Sequence, residues 1–178
     1  MSSKTAVYGI FDNRAQVDAA VSRLRTDGFR NEDISVLFPD KEGTSSFAHE
    51  AHTKAPEGAA TGAGAGAVVG GTLGLLAGIG LLAIPGLGPF IAAGPIMASL
   101  AGMGIGGATG GLVGALVGLG IPEVEAKRYE GMIKEGHILM SIHSDDAEYT
   151  KRAKAVLDAT GAKHVSSTGE SQAPKTNK

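Results

Sequence analysis

Histidines are the first residues in this chain to test for chemistry: His49, His52, His137, His143 and His164. His49 and His52 stand three positions apart beside Glu50, a spacing that suits a metal ion on a helix. Their setting, from Asp40 to Pro56, is polar and mixed, with Gly43, Ser45 and Ser46, and reads as a solvated linker instead. His137 and His143 fall on one face of an alternating strand, HILMSIH, but about 20 Å apart by strand rise, too far for one ion. They are expected to mark a solvent or dimer face of a sheet. Cysteine is absent, which excludes disulfides, thiolate metal sites and cysteine nucleophiles. No Ser/His/Asp set, carboxylate pair or phosphate loop has a supporting context. Gly104-Ile105-Gly106 lacks the preceding strand and the following acidic residue of a dinucleotide site. The chain is therefore expected not to be an enzyme, and no catalytic, cofactor or metal residue is assigned.

In place of a reactive constellation the chain carries two glycine ladders. Gly62, Gly66, Gly70, Gly74 and Gly78 recur every four residues, as do Gly102, Gly106, Gly110, Gly114 and Gly118. The two sets are mirror-placed about Phe90. A period of four draws one stripe along a helix. Glycine costs a helix about 1 kcal/mol relative to alanine, so ten in register need a return. Close helix approach in a bilayer, where small-xxx-small stripes drive packing, is the usual one. Charge points the same way: no Asp, Glu, Lys, Arg or His lies between Glu57 and Glu123. The polar side chains there are Thr61, Thr72, Ser99 and Thr109. An uncharged apolar run of about 18 residues already reaches the transmembrane threshold.

The elements that would hold these ladders follow from pattern. Residues 1–40 read as the first half of a small α/β domain. Thr5 to Phe11 is β-branched and aromatic and predicts a strand. Asp12 or Asn13 can cap a helix whose apolar face is Val17, Ala20, Val21 and Leu24, ended by Gly28. Asp33 to Phe38 predicts a second strand. Residues 41–57 form a linker. Residues 58–121 form a hairpin of two helices, about 60–84 and 96–121, each roughly 37 Å long and able to cross a hydrocarbon core of about 30 Å. Its tip, broken by Pro85, Pro89 and Pro95, has no polar side chain.

Residues 122–168 supply the second half. Pro122 starts a helix with Glu123 and Glu125 in its first turn, where the dipole favours carboxylates. Glu123–Lys127 and Glu130–Lys134 have favourable i,i+4 spacing, and Gly136 ends the helix. His137 to His143 is a strand with Ile138, Met140 and Ile142 on one face. Ser144 and Asp145 open a last helix closed by Gly161, and Lys163 to Thr168 is a fourth strand. Residues 169–178 are a polar tail, expected to be disordered. The fold class is α+β: a ferredoxin-like split βαβ sandwich with an inserted glycine-rich helical hairpin, expected to be transmembrane.

Val7 to Phe11 with Asp12-Asn13-Arg14, the Gly/Ala hairpin, and GLGIPEVEAKRYEGMIKEGHILMSIH from Gly118 to His143 resemble bacterial low-temperature-induced and general stress proteins. The resemblance runs to about Thr168. It implies a stress-associated protein with a small α/β domain and a glycine-rich membrane segment, and it supplies no catalytic residues.

Three readings of the hairpin stand side by side: two full crossings, a monotopic dip into the bilayer, and a soluble assembly with hairpins packed in its core. Membrane lipid and a second copy of the chain are the expected partners. Nucleic acid is not, since the formal net charge is −2, and a protein partner is not identified. Met1 to Asp12 lacks the pattern of a secretory signal. Lys54, Lys127, Arg128 and Lys134 flank the hairpin, so the positive-inside rule puts the α/β domain on the cytoplasmic face of the inner membrane. The alternatives are a cytoplasmic assembly or a small-ligand-sensing regulatory domain.

Overall fold

Apolar runs near both ends of the chain meet in the middle of one sheet. The computed structural model describes residues 4–39, 79–84, 87–102 and 111–169. In chain order the elements are β1 (Thr5–Phe11), α1 (Arg14–Thr26), a 3-10 turn (Asn31–Asp33), β2 (Ile34–Pro39), β3 (Ile79–Ile84), β4 (Gly88–Ala93), α2 (Pro95–Gly102), α3 (Gly111–Gly118), α4 (Glu123–Lys134), β5 (Ile138–Ser144), α5 (Ala147–Ala159) and β6 (Lys163–Gly169). The six strands form one sheet in the order β3-β4-β2-β5-β1-β6, every neighbouring pair antiparallel. The class is α+β.

Both faces of the sheet are covered. Odd positions of β1, with Val36, Met140 and Ile142, pack against α1 and α5. Even positions, Ala6, Tyr8 and Ile10, with Leu37 and Leu139, pack against α2, α3 and α4. The strand period of two divides β1 between two cores, and for that reason its residues from Ala6 to Phe11 are all buried. Local signals set the helix ends. The Asn13 side chain accepts from the Gln16 amide at 3.0 Å and starts α1. Asp146, one residue beyond the sequence expectation, accepts from the Tyr149 amide at 2.8 Å and starts α5.

The insertion departs from the expected helical hairpin. Residues 79–84, read as the end of the helix over 60–84, are strand β3, and Gly88–Ala93 of the proline-rich tip is strand β4. Of the helix expected over 96–121, the described residues include two helical stretches, α2 over Pro95–Gly102 and α3 over Gly111–Gly118. Among the described residues, no helix is long and apolar enough to cross a membrane. Tertiary pairing accounts for the difference. β2 would otherwise present an open row of backbone donors and acceptors, and β4 pairs with it from Val36↔Ala93 to Pro39↔Phe90. The sheet face expected to be open is instead buried under α2, α3 and α4, because an apolar sheet face in water needs a second layer.

Candidate functional site

One row of hydroxyls crosses the sheet beneath the insertion. The register places Ser35 opposite Ser141, Ser141 opposite Tyr8 and Tyr8 opposite Ser166. All four therefore lie on the face covered by α2, α3 and α4, with Ser35, Ser141 and Tyr8 fully buried. Ser35 Oγ accepts the Ile96 amide at 3.0 Å, so a β2 side chain satisfies one of the free donors at the start of α2. At the other end, Tyr129 of α4 donates to the His164 carbonyl at 2.8 Å, which leaves Ser166 Oγ, also at 2.8 Å, to donate to the tyrosine oxygen. Burial pushes the Tyr129 phenol above its ordinary value. His164 has φ +52, beside the register shift between Tyr8 and Ile10.

Ser141 Oγ is buried with no hydrogen-bond partner among the described residues. Desolvating a hydroxyl without a partner costs about 1–3 kcal/mol. Ser141→Ala is accordingly expected to leave stability unchanged or raise it by about 1 kcal/mol in urea unfolding; a loss of that size would show a satisfied hydroxyl.

A second polar cluster sits where β1, β5 and β6 meet. Asp12 Oδ1 lies 2.8 Å from Lys163 Nζ and 3.0 Å from His137 Nε2. His137 Nδ1 lies 2.9 Å from the Met132 carbonyl. Both ring nitrogens face acceptors, so both contacts are made together only when each carries a proton. His143 pairs with Asp145 at 3.1 Å. Both histidines are partly buried at opposite ends of β5, contrary to the open solvent or dimer face expected for them. Among the described residues, no group of three or more His, Asp and Glu is placed to hold a metal. His49 and His52 lie outside the described residues.

The Lys163 hydrogen bond, helped by the charges of Lys163 and His137, holds the Asp12 carboxyl below its ordinary value. A depressed carboxylate stabilises the fold above its unfolded pKa, about 3.9, and loses that contribution as pH falls through the folded value. Asp12→Asn should therefore flatten the acid limb of the stability profile below about pH 4 and leave its neutral part level. The same slope in variant and parent would refute the linkage. Asp12 is exposed, so the effect is small.

Of the helix-packing glycines, Gly62, Gly66, Gly70, Gly74, Gly78, Gly106 and Gly110 lie outside the described residues, as does Pro85 of the tip. Gly102 is the last residue of α2, while Gly114 and Gly118 are on α3. Pro89 is within β4 and Pro95 begins α2. Gly114 is solvent-exposed, and a Cβ built on it would meet no atom within 4 Å. Among the described residues, no backbone approaches closely at that position. Helix α3 instead buries Leu112, Ala115 and Leu116 and turns Gly111, Gly114, Val117 and Gly118 outward. Val117 is 41% exposed and Val124, just beyond on α4, is 73% exposed.

Sequence reasoning missed the hydroxyl row. Alternation alone puts Ser141 on the face opposite Ile138, Met140 and Ile142, but the partners Ser35, Tyr8 and Ser166 appear only once the strand order is known. No family model, curated protein or solved structure matches the chain.

Proposed function

We propose that this chain is a non-enzymatic stress-response protein whose α/β domain is held at a membrane, and self-associates, through its uncharged glycine-rich insertion. The observation that carries this reading is the absence of any ionisable side chain between Glu57 and Glu123. Soluble insertions normally place charges on the water side of each helix, and an uncharged stretch of this length suits lipid. The strand order β6-β1-β5-β2, with α1 and α5 on one face, supports a ferredoxin-like split βαβ sandwich as the parent domain. In this reading β3, β4, α2 and α3 belong to the insertion, and the domain faces the cytoplasm from the inner membrane. Membrane lipid and further copies of the chain are its partners.

The outward side of α3 favours a second reading, a soluble self-assembling scaffold. Gly111, Gly114, Val117 and Gly118 carry no charge, and they adjoin exposed Val124. Such a surface suits a contact between copies. Fractionation separates the two. Carbonate-resistant pelleting of the full-length chain with membranes is the expected result. A large soluble particle on gel filtration, with none in the membrane pellet, would overturn the first reading in favour of the second.

A further inference from the structure

A cleft on the α1 side of the sheet takes no part in the membrane reading. It lies where α1 ends and the 3-10 turn begins, has a volume of about 640 Å³ and is lined by Ser22, Arg25, Thr26, Phe29, Arg30 and Asn31. Phe29 anchors it. The ring is buried in the core shared with α1 and α5 and meets Tyr149 edge-on, with centroids 5.2 Å apart. Arg30 is fixed as well. Its Nε and one terminal nitrogen donate to Asp33 at 3.2 and 3.0 Å, its amide donates to the same carboxylate at 3.0 Å, and Glu32 pairs with the other terminal nitrogen.

Acceptors around the cleft are largely taken. The carbonyls of Arg23, Leu24 and Arg25 accept the amides of Asp27, Phe29 and Gly28, and the Ser22 carbonyl accepts the Thr26 hydroxyl. Arg152 donates to the Asp27 carbonyl. The negative end of the α1 dipole is thereby capped. The neighbouring carboxylates are paired: Asp27 with Arg23, Glu32 and Asp33 with Arg30, Asp145 with His143. Donors are what remain. The Arg25 guanidinium, the Ser22 hydroxyl and the Asn31 side-chain amide make no hydrogen bond or ion pair among the described residues.

We propose that this cleft binds a small phosphate monoester, with the Arg25 guanidinium as the charged clamp and Ser22 Oγ and the Asn31 amide as flanking donors. A phosphate dianion accepts hydrogen bonds and donates none, so it needs the groups that the cleft leaves unused. The arginine fork meets two phosphate oxygens at once, which a point charge cannot do. The volume is that of a small-molecule site and exceeds what a bare phosphate fills, so the ligand carries an organic body. It comes from solution rather than from a lipid headgroup, because α2 and α3 of the insertion cover the other face of the sheet. The inference goes beyond the membrane reading and does not depend on it.

The full-length protein, labelled with nitrogen-15 and kept in a neutral detergent, is titrated with glycerol 3-phosphate and separately with inorganic phosphate, at an ionic strength held constant with sodium chloride. Saturable amide shifts at Ser22, Arg25 and Asn31 are expected, with glycerol 3-phosphate the tighter of the two. Arg25→Gln should weaken binding at least about tenfold and leave the urea midpoint unchanged, since Arg25 holds no partner in the fold. Arg25→Lys keeps the charge without the fork and should fall between variant and parent. Arg128→Gln, on α4 in the opposite layer, should bind as the parent does.

No saturable shift at these residues, or parent-like binding by Arg25→Gln, would overturn the site. An equal loss in Arg128→Gln would reduce it to general charge attraction and overturn it too. Equal affinity for the two probes would overturn the monoester. Shifts with dihexanoyl phosphatidic acid but none with glycerol 3-phosphate would overturn a ligand taken from solution.

Discussion

Gly94→Ala is expected to cost about 4 kcal/mol. Gly94 joins β4 to α2 with φ +92, a conformation that side chains rarely adopt. A Cβ there would also collide with the Ile34 carbonyl oxygen and lie 2.5 Å from Ser35 Oγ and 2.6 Å from Ser35 Cα. Two costs therefore add: about 1–3 kcal/mol of backbone strain, and a similar amount for displacing packed backbone that cannot yield like a flexible side chain. The collision falls on Ser35, the side chain that caps α2 through the Ile96 amide. Urea unfolding measures the total. Hydrogen exchange at Ile96 should show the local loss, with much faster exchange than in the parent. A cost under about 1 kcal/mol would mean that β4 and α2 do not sit against β2 as described.

The second large effect contrasts two positions on one short helix. Leu116→Ala should destabilise by about 3 kcal/mol, while Gly114→Ala should stabilise by up to about 1 kcal/mol. Leu116 is fully buried in the core that α3 shares with α4 and the even face of the sheet, so truncation loses transfer energy and leaves a cavity. Gly114 faces outward, and its added Cβ would meet no atom within 4 Å, so the gain is the ordinary helix preference of alanine over glycine. A glycine zipper closed within one chain predicts the opposite sign at Gly114, since a methyl group would force two backbones apart. Thermal and urea unfolding of the two variants decide between the alternatives. A destabilised Gly114→Ala variant would restore the intramolecular zipper at this site.

Much of the α/β part is legible residue by residue. Val17, Ala20, Val21 and Leu24 are the buried face of α1 because a 3.6-residue period admits one apolar stripe. Glu123–Lys127 and Glu130–Lys134 form the ion pairs that their spacing predicts, at 2.6 and 3.3 Å. The strands near Thr5, Ile34, Ile138 and Lys163 come from β-branched and alternating runs. Gly28, Gly136 and Gly161, read as helix stops, all have positive φ. These features are set within one or two turns of the chain, where neighbours in sequence are neighbours in space.

In the described part of the insertion, composition was legible but the conformation of residues 79–84 and 88–93 was not. IGLLAI and GPFIAA, at Ile79–Ile84 and Gly88–Ala93, are short apolar runs that periodicity cannot divide between helix and strand. The ladder of glycines tipped the reading toward helix because glycine spacing of four has a known use in bilayers. In the folded chain the deciding partner is β2, about fifty residues earlier in sequence, whose free edge takes β4. The hydroxyl row escaped notice for the same reason. Ser35, Ser141, Tyr8 and Ser166 come from four separate segments and become neighbours only through strand order.

The sequence by itself determined the α+β class, the helix caps, the central strands and an insertion without charge, since propensity, capping and alternation act over a few residues. Tertiary structure alone decided what the described part of the insertion does with its apolar surface. It spends that surface on the sheet edge and on the even face of β1, beneath Ile96, Met97 and Leu116. That choice depends on which unsatisfied backbone and which exposed apolar face lie within reach, and no local pattern encodes either.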